Sequence, residues 1–97
     1  MITEQPNGLY CRFSTIVDCP THYNMTFDEY VKVIHDRGDL TLEGAQKEAL
    51  DIVTNYNYDF ENTMGQFVPN NMTQEKFDSI YVEMHEAVNE KTVMVLT

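Results

Sequence analysis

The sequence predicts an α+β fold in which three helices pack on a small antiparallel sheet. Three observations predict it: an alternating segment near the N-terminus, three amphipathic segments that each follow a threonine, and a Val-rich segment near the C-terminus. A length of 97 residues with 42% hydrophobic residues suffices for one buried core and leaves little for a second. Residues 1–97 are therefore expected to form a single domain.

The first predicted strand covers residues 8–17. Leu9, Cys11 and Phe13 alternate with more polar positions, which is the period of a strand with one buried face. Pro20 has no backbone N–H to donate to a neighbouring strand, so we expect the strand to end before it.

The first predicted helix begins at a capping box formed by Thr26 and Glu29. It should start at Phe27, end by Gly38 and bury a stripe of apolar side chains. Because these positions recur every three or four residues, they share one helix face. The stripe consists of Phe27, Tyr30, Val31 and Ile34.

The second predicted helix follows Thr41, which has the position of an N-cap. Beyond Asn55 the apolar period changes to two, which predicts an extended segment over 56–60. Glycine, proline and paired asparagines then predict a loop over 64–71. The apolar stripe of the helix consists of Leu42, Ala45, Ala49, Ile52, Val53 and Tyr56.

The third predicted helix runs from Thr73 to about Asn89, and a second strand is predicted over 92–96. We expect this strand to pair with the strand at 8–17, because each has an apolar face that must be covered. The buried side of the helix is expected to contain Phe77, Ile80, Tyr81, Met84, Ala87 and Val88.

Charge restricts the partners of the chain. Sixteen acidic residues against six basic ones give a formal net charge of −10, which repels nucleic acid and anionic membranes and attracts basic surfaces. We therefore expect no direct nucleic-acid partner and no membrane partner. The chain lacks the roughly 20-residue apolar run of a membrane span and the features of a secretory signal. A cytoplasmic location is expected, in the host cytoplasm if a phage encodes the protein.

The excess of negative charge is concentrated after Thr41, where ten acidic residues stand against three basic ones. At about 100° per residue, five carboxylates of the third helix spread over roughly 140° opposite its apolar stripe. A face that serves solubility alone usually mixes both signs, since Glu and Lys four residues apart stabilise a helix. A solvated helix face and a partner-binding surface both remain open. We call these five carboxylates the acidic face: Glu75, Asp78, Glu83, Glu86 and Glu90.

A row of carboxylates can take the place of nucleic-acid phosphates on a basic protein surface. The predicted function is inhibition of a nucleic-acid-handling enzyme, with Asp59 and Glu61 as secondary contacts next to the interface-type residues Tyr56 and Tyr58. In composition the chain is similar to the small acidic inhibitors that phages and mobile elements direct at restriction or CRISPR nucleases. That resemblance implies a nuclease as partner, and no motif carries it.

A second hypothesis is a self-associating structural or scaffold subunit with no inhibitory role. Six methionines and eleven aromatic residues supply material for an apolar interface. The open edges of a small sheet could also pair across a homodimer.

No catalytic, metal or cofactor site is predicted. Cys11, Cys19, His22 and His35 are zinc-type ligands, but the seven residues between the two cysteines do not match the paired ligands of a structural zinc site. Cys19 with His22 and Asp18 supplies the residue types of covalent catalysis, without a Gly-rich turn to hold an oxyanion. Phosphate-loop and dinucleotide motifs are also absent from the sequence. We expect a binding protein rather than an enzyme.

Overall fold

The computed structural model describes residues 1–38, 40–86 and 93–94. A five-stranded sheet lies between two layers of helices, which confirms the predicted α+β class. The described elements, in chain order, are β1 (Ile2–Glu4), β2 (Tyr10–Ser14), β3 (Cys19–Met25), α1 (Phe27–His35), α2 (Leu42–Asn55), β4 (Asn57–Tyr58), α3 (Phe60–Met64), α4 (Gln74–Glu83) and β5 (Val93–Met94).

The sheet has the strand order β4-β1-β2-β3-β5. β1 is antiparallel to β2, β2 to β3 and β3 to β5, whereas β4 runs parallel to β1. The sheet is thus mixed, and the prediction of a wholly antiparallel sheet is wrong. The strand predicted over 8–17 is β2, which pairs with β1 and β3 rather than with a C-terminal strand. Of the strand predicted over 92–96, the structure describes only Val93–Met94, and the rest lies outside the described residues.

β1 and β3 were not predicted. β1 has three residues, too few to show a period. β3 contains Pro20, which lies opposite Phe13, next to an irregularity in the register between Arg12 and Phe13. A proline is tolerated at such a bulge and near the start of a strand, so it does not end the sheet here.

The caps of the helices agree with the sequence. Thr26 Oγ1 accepts a hydrogen bond from Glu29 N at 3.1 Å, and Glu29 Oε1 accepts one from Thr26 N at 2.8 Å, so the capping box that starts α1 is confirmed. Thr41 Oγ1 accepts a hydrogen bond from Gly44 N at 3.1 Å and caps α2. Each hydroxyl satisfies one of the amides that have no partner within the helix.

The described residues contain four helices rather than the predicted three. α3 begins at Phe60, where the period of two had predicted extended backbone, and only Asn57–Tyr58 of that segment are a strand. α4 ends at Glu83, so the helix predicted to reach Asn89 is too long at least by the turn that contains Glu86. Residues 87–89 lie outside the described residues.

Two apolar clusters hold the layers to the sheet. On one side, α1 and α2 pack through Tyr30, Val31, Ile34, Ala45 and Ala49 against Ile2 and Met25 of the strands. On the other side, α3 and α4 cover the second face. The main members of this second cluster are Cys11, Phe13, Cys19, Tyr23, Phe60, Met64, Phe77, Ile80 and Met84.

A buried polar network ties the turn after β1 to the end of α4. Asn24 has a φ of +58°, a left-handed conformation that asparagine tolerates better than most residues. Its Oδ1 accepts hydrogen bonds from Gln5 Nε2 at 2.8 Å and from Asn7 Nδ2 at 3.1 Å. Asn7 Nδ2 also donates to the Glu86 carbonyl at 2.8 Å. The network thereby holds the chain that leaves α4.

Candidate functional site

The acidic face is carried by α4, which folds because its cap and its apolar side agree. Thr73 Oγ1 accepts a hydrogen bond from Lys76 N at 3.1 Å and starts the helix. Phe77, Ile80 and Met84 are buried against the sheet. At 100° per residue this burial turns the opposite side of the helix to solvent.

Four of the five carboxylates of the acidic face lie in described residues, and all four are exposed: Glu75, Asp78, Glu83 and Glu86. Glu90 lies outside the described residues. Glu86 follows the last helical residue by one turn, and its backbone N–H donates to the Glu83 carbonyl at 3.2 Å. The acidic face therefore continues past the end of α4 on a tight turn.

The end of α4 has a specific polar partner. His85 Nδ1 lies 2.8 Å from the Tyr81 carbonyl, which is one of the last carbonyls of the helix. A protonated ring nitrogen at that position donates to the carbonyl. This contact and the tight turn end the helix before the residues that the sequence pattern assigns to it.

Glu83 is held in place by a tyrosine from the sheet. The hydroxyl of Tyr23, on β3, donates to Glu83 Oε2 at 2.7 Å. Burial and this hydrogen bond to a carboxylate raise the pKa of Tyr23, so the phenol stays protonated and continues to donate. The orientation of the Glu83 carboxylate is thereby fixed.

Glu61 of α3 is hydrogen-bonded to a tyrosine of α4. The hydroxyl of Tyr81 lies 2.8 Å from Glu61 Oε1 and 3.0 Å from Oε2 and donates to this carboxylate. The hydrogen bond raises the pKa of Tyr81. Tyr81 also stacks on Phe60 with 5.7 Å between ring centroids. Glu61, predicted as a secondary contact, is therefore held beside α4.

Asp59 has a structural role in addition to the one predicted for it. Its Oδ2 accepts a hydrogen bond from Asn62 N at 3.0 Å and caps α3. Phe60 is buried in the core, whereas Tyr56 and Tyr58 are 61% and 52% exposed. The two tyrosines border a cavity in the α1–α2 layer. The structure therefore does not place them on the acidic face.

In the part of the chain that the structure describes, the carboxylates of α3 and α4 form no ion pairs. The described ion pairs join Arg37 to Glu48 at 2.8 Å and Lys47 to Glu43 at 3.7 Å, and both lie within α2 and the turn after α1. No carboxylate of α3 or α4 takes part in one. In their place, Asp78 Oδ1 accepts a hydrogen bond from the neutral amide of Gln74 at 2.8 Å. Lys76 is the one described base of α3 and α4, and it forms no ion pair with their carboxylates.

Val82 adds an apolar patch to the acidic face. It lies four residues after Asp78 on the same side of α4, and it is 56% exposed. An exposed valine contributes little to the core. Sequence reasoning did not include Val82, although its position on a helical projection indicates it.

Sequence reasoning also missed Tyr23 and Tyr81 as the residues that orient the carboxylates. Tyr23 belongs to β3, which was not predicted, and it lies 60 residues from Glu83 in the chain. No local pattern reports a contact of that range. Tyr81 was assigned to the apolar stripe, and its half-buried ring agrees with that assignment.

The cysteines are poorly suited to chemistry. Both thiols are free and buried. Burial raises the pKa of Cys11 to about 12, and burial followed by the nearby Asp18 carboxylate raises that of Cys19. A nucleophilic cysteine needs its pKa lowered instead. Within residues 1–38, 40–86 and 93–94, no group of three His, Cys, Asp or Glu side chains could hold a metal ion.

None of the described helices is both long enough and apolar enough to cross a membrane. No protein-family model, no curated protein and no solved structure matches the chain.

Proposed function

We propose that this chain is a binding protein that inhibits a nucleic-acid-handling enzyme by presenting the acidic face to a basic surface of that enzyme. The observation that supports the proposal is the row of four exposed carboxylates on α4 and the turn after it, without an ion pair to any described base. Like charges on one helix face destabilise it slightly. A partner that supplies positive charge accounts for their presence.

The spacing of the carboxylates suits a phosphate-binding surface. With a rise of 1.5 Å per residue, Glu75 and Glu83 lie about 12 Å apart along α4. One strand of duplex DNA passes three to four phosphates over about that distance. The acidic face could therefore occupy the groove in which a nuclease holds its substrate, as the small acidic inhibitors of restriction or CRISPR nucleases do.

Two features strengthen binding beyond simple attraction. Tyr23 and Tyr81 hold Glu83 and Glu61 in fixed orientations, which lowers the entropy lost when these carboxylates meet guanidinium or ammonium groups. Val82 gives the centre of the face an apolar contact, and interfaces commonly combine such a contact with a polar rim.

Charge-led binding is favoured over self-association by the form of the sheet. The edge strand β4 has only two residues, Asn57–Tyr58. Short edge strands offer little backbone for pairing with a second sheet. The scaffold hypothesis rests instead on exposed apolar side chains, among them Leu42 and Leu50 of α2.

The test is affinity capture from the cell of origin, at low and at high salt, with two doubly substituted variants of equal net charge. Asp78→Lys with Glu86→Lys alters the acidic face, whereas Asp36→Lys with Asp51→Lys alters exposed positions of the α1–α2 layer. We expect the unaltered protein and the second variant to capture a nucleic-acid enzyme that salt or duplex DNA releases, and to inhibit it. The first variant should capture and inhibit at least about tenfold less, since two desolvated charge pairs are lost.

The proposal is wrong if both variants bind equally well, because net charge alone would then explain the interaction. It is also wrong if the captured partner resists elution by salt and by DNA. A protein that captures only a second copy of itself would support the scaffold hypothesis instead.

A further inference from the structure

A cavity of about 330 Å³ lies in the α1–α2 layer, on the side of the sheet away from the acidic face. It opens between α1, the C-terminal end of α2 and the strands β1, β2 and β4. Its volume is within the range of small-molecule sites. The lining residues that matter to the argument are Arg12, Tyr30, Arg37, Ile52, Tyr56 and Tyr58.

The cavity is positively charged within an acidic protein. Two of the six basic residues of the chain, Arg12 and Arg37, line it. Arg37 Nη2 pairs with Glu48 Oε2 at 2.8 Å, so its charge is balanced. Arg12 is half-buried, and its guanidinium has no hydrogen bond or ion pair among the described residues. The cavity therefore has at least one positive charge, that of Arg12, without a described counter-ion.

The histidine nearest to Arg12 in the sheet register does not alter this balance. His22 lies opposite Arg12 on the neighbouring strand. Burial, followed by the positive charge of Arg12, lowers the pKa of His22, so it is neutral at pH 7. A partly buried guanidinium without a counter-ion is unfavourable, and an anion that enters the cavity would remove that cost.

Tyr30 supplies a second polar group without a partner. It is only 4% exposed and lines the cavity, and its hydroxyl makes no hydrogen bond to any described residue. A buried tyrosine hydroxyl usually has such a partner. Burial raises its pKa to about 12; the charge of Arg37 opposes this shift, that of Glu48 adds to it and that of Arg12 opposes it. A ligand oxygen beside Arg12 would be within the same group of donors.

The mouth of the cavity is aromatic and apolar. Tyr56 and Tyr58 are 61% and 52% exposed, so their rings have open surface, and Ile52 is a half-buried part of the wall. Exposed tyrosine rings of this kind stack on planar groups, while an isoleucine excludes water from one side. The cavity therefore offers polar donors in one part of its lining and aromatic surface in another.

We propose that this cavity binds a small aromatic anion, an aryl carboxylate or aryl phosphate, with its anionic oxygens on Arg12 and Tyr30 and its ring against Tyr56, Tyr58 and Ile52. A guanidinium can hold a carboxylate or phosphate through two parallel hydrogen bonds. The site is independent of the proposed inhibitory function, because it lies on the opposite layer and uses charge of the opposite sign.

The test uses the full chain and four probes: benzoate, phenyl phosphate, the neutral isostere benzamide and the ringless anion acetate. NMR titration follows the Arg12 Nε–H and Tyr30 ring signals. Benzoate or phenyl phosphate should shift both signals saturably. Benzamide and acetate should bind at least about tenfold more weakly, since each lacks one of the two recognised parts.

Three variants assign the site. Arg12→Gln should weaken the binding of the aromatic anions by about tenfold or more, because it removes the charge, and Tyr30→Phe should weaken it severalfold. Lys47→Gln removes the same charge from the exposed side of α2 and should leave binding unchanged. If Arg12→Gln does not fold, comparing the binding of the aromatic anions by Tyr30→Phe and by Lys47→Gln still tests the proposal. The proposal is overturned if neither aromatic anion saturates the signals, if benzamide binds as well as benzoate, or if Tyr30→Phe has no effect.

Discussion

The two helical layers differ in whether their carboxylates form ion pairs. Residues 26–55, which contain α1 and α2, include seven acidic and three basic residues, and the described ion pairs of the chain lie within them. Residues 59–86, which contain α3 and α4, include six acidic residues and one lysine, and none of their described carboxylates is in an ion pair. Both layers nevertheless bury an apolar cluster against the sheet. Folding thus explains the apolar pattern of both layers but not the charge pattern of the second.

Packing differs between the layers as well. In the α3–α4 layer the rings of Phe67 and Phe77 stack with centroids 4.0 Å apart, and Tyr81 packs against Phe60 at 5.7 Å. The α1–α2 layer instead leaves a cavity of about 330 Å³ beside Ile34. The α3–α4 layer, whose carboxylates form no described ion pair, therefore has the tightly packed interior, and the α1–α2 layer, which contains the described ion pairs, has a cavity.

Truncation of one isoleucine in each layer tests this difference in packing and has the largest expected effect. Ile80→Ala, in α4, should lower the free energy of unfolding by about 4–5 kcal/mol, because Ile80 is 1% exposed and leaves a new cavity. Ile34→Ala, in α1, should cost about 2–3 kcal/mol, because it enlarges a cavity that is already open. Urea denaturation measures both. Equal losses would show that the two layers are packed alike.

Removing the helix caps should give a smaller difference in stability between the two layers. Thr26→Ala and Thr73→Ala should each lower the free energy of unfolding by about 0.5–2 kcal/mol. α1 would keep the bond from Thr26 N to Glu29, whereas α4 has Lys76 at the corresponding position and would keep none. The loss at Thr73 should therefore be the greater of the two. Amide hydrogen exchange at the first turn of each helix checks the location, and Thr→Ser at each cap should restore most of the stability.

Local patterns predicted the parts of the fold that depend on neighbours in the chain. The caps at Thr26, Thr41 and Thr73 and the apolar stripe of α4 as far as Met84 are signals within one or two turns, and the structure has all of them, whereas Ala87 and Val88 of the predicted stripe lie outside the described residues. The strands that were not predicted depend on long-range pairing. Strand β3 forms despite Pro20 because a register irregularity in β2 accommodates it, and β1 is stabilised by strands on both sides.

The same distinction between local and long-range features applies to the acidic face and the cavity. The exposure of Glu75 and Asp78 follows from the helical period, so sequence reasoning found them. The cavity brings Arg12 of β2 together with Arg37 beyond α1 and Tyr56 beyond α2, which are distant in sequence. Their meeting depends on how α1 and α2 cross the sheet, and no spacing in the sequence encodes that geometry.

A charge introduced at Val82 gives the smallest effect on stability and the sharpest test of the comparison. Val82→Lys places a base four residues after Asp78, as Lys47 follows Glu43 in α2, and so gives α4 the kind of ion pair that the other layer has. Since Val82 is 56% exposed, the substitution removes little buried surface. The new pair should raise the free energy of unfolding by about 0.2–0.5 kcal/mol at low salt, and high salt should abolish the gain.

Stability and partner binding should change in opposite directions in this variant. The same lysine that stabilises α4 makes the electrostatic potential of the acidic face less negative, so capture of the proposed basic partner should weaken. Val82→Gln, which changes polarity without charge, separates loss of the apolar contact from loss of potential. Lys47→Ala in α2 should lose about 0.3–0.5 kcal/mol of stability and leave capture unchanged. If Val82→Lys stabilises the fold and binds the partner as tightly as before, the acidic face is a solvated surface, and the contrast between the layers has no functional meaning.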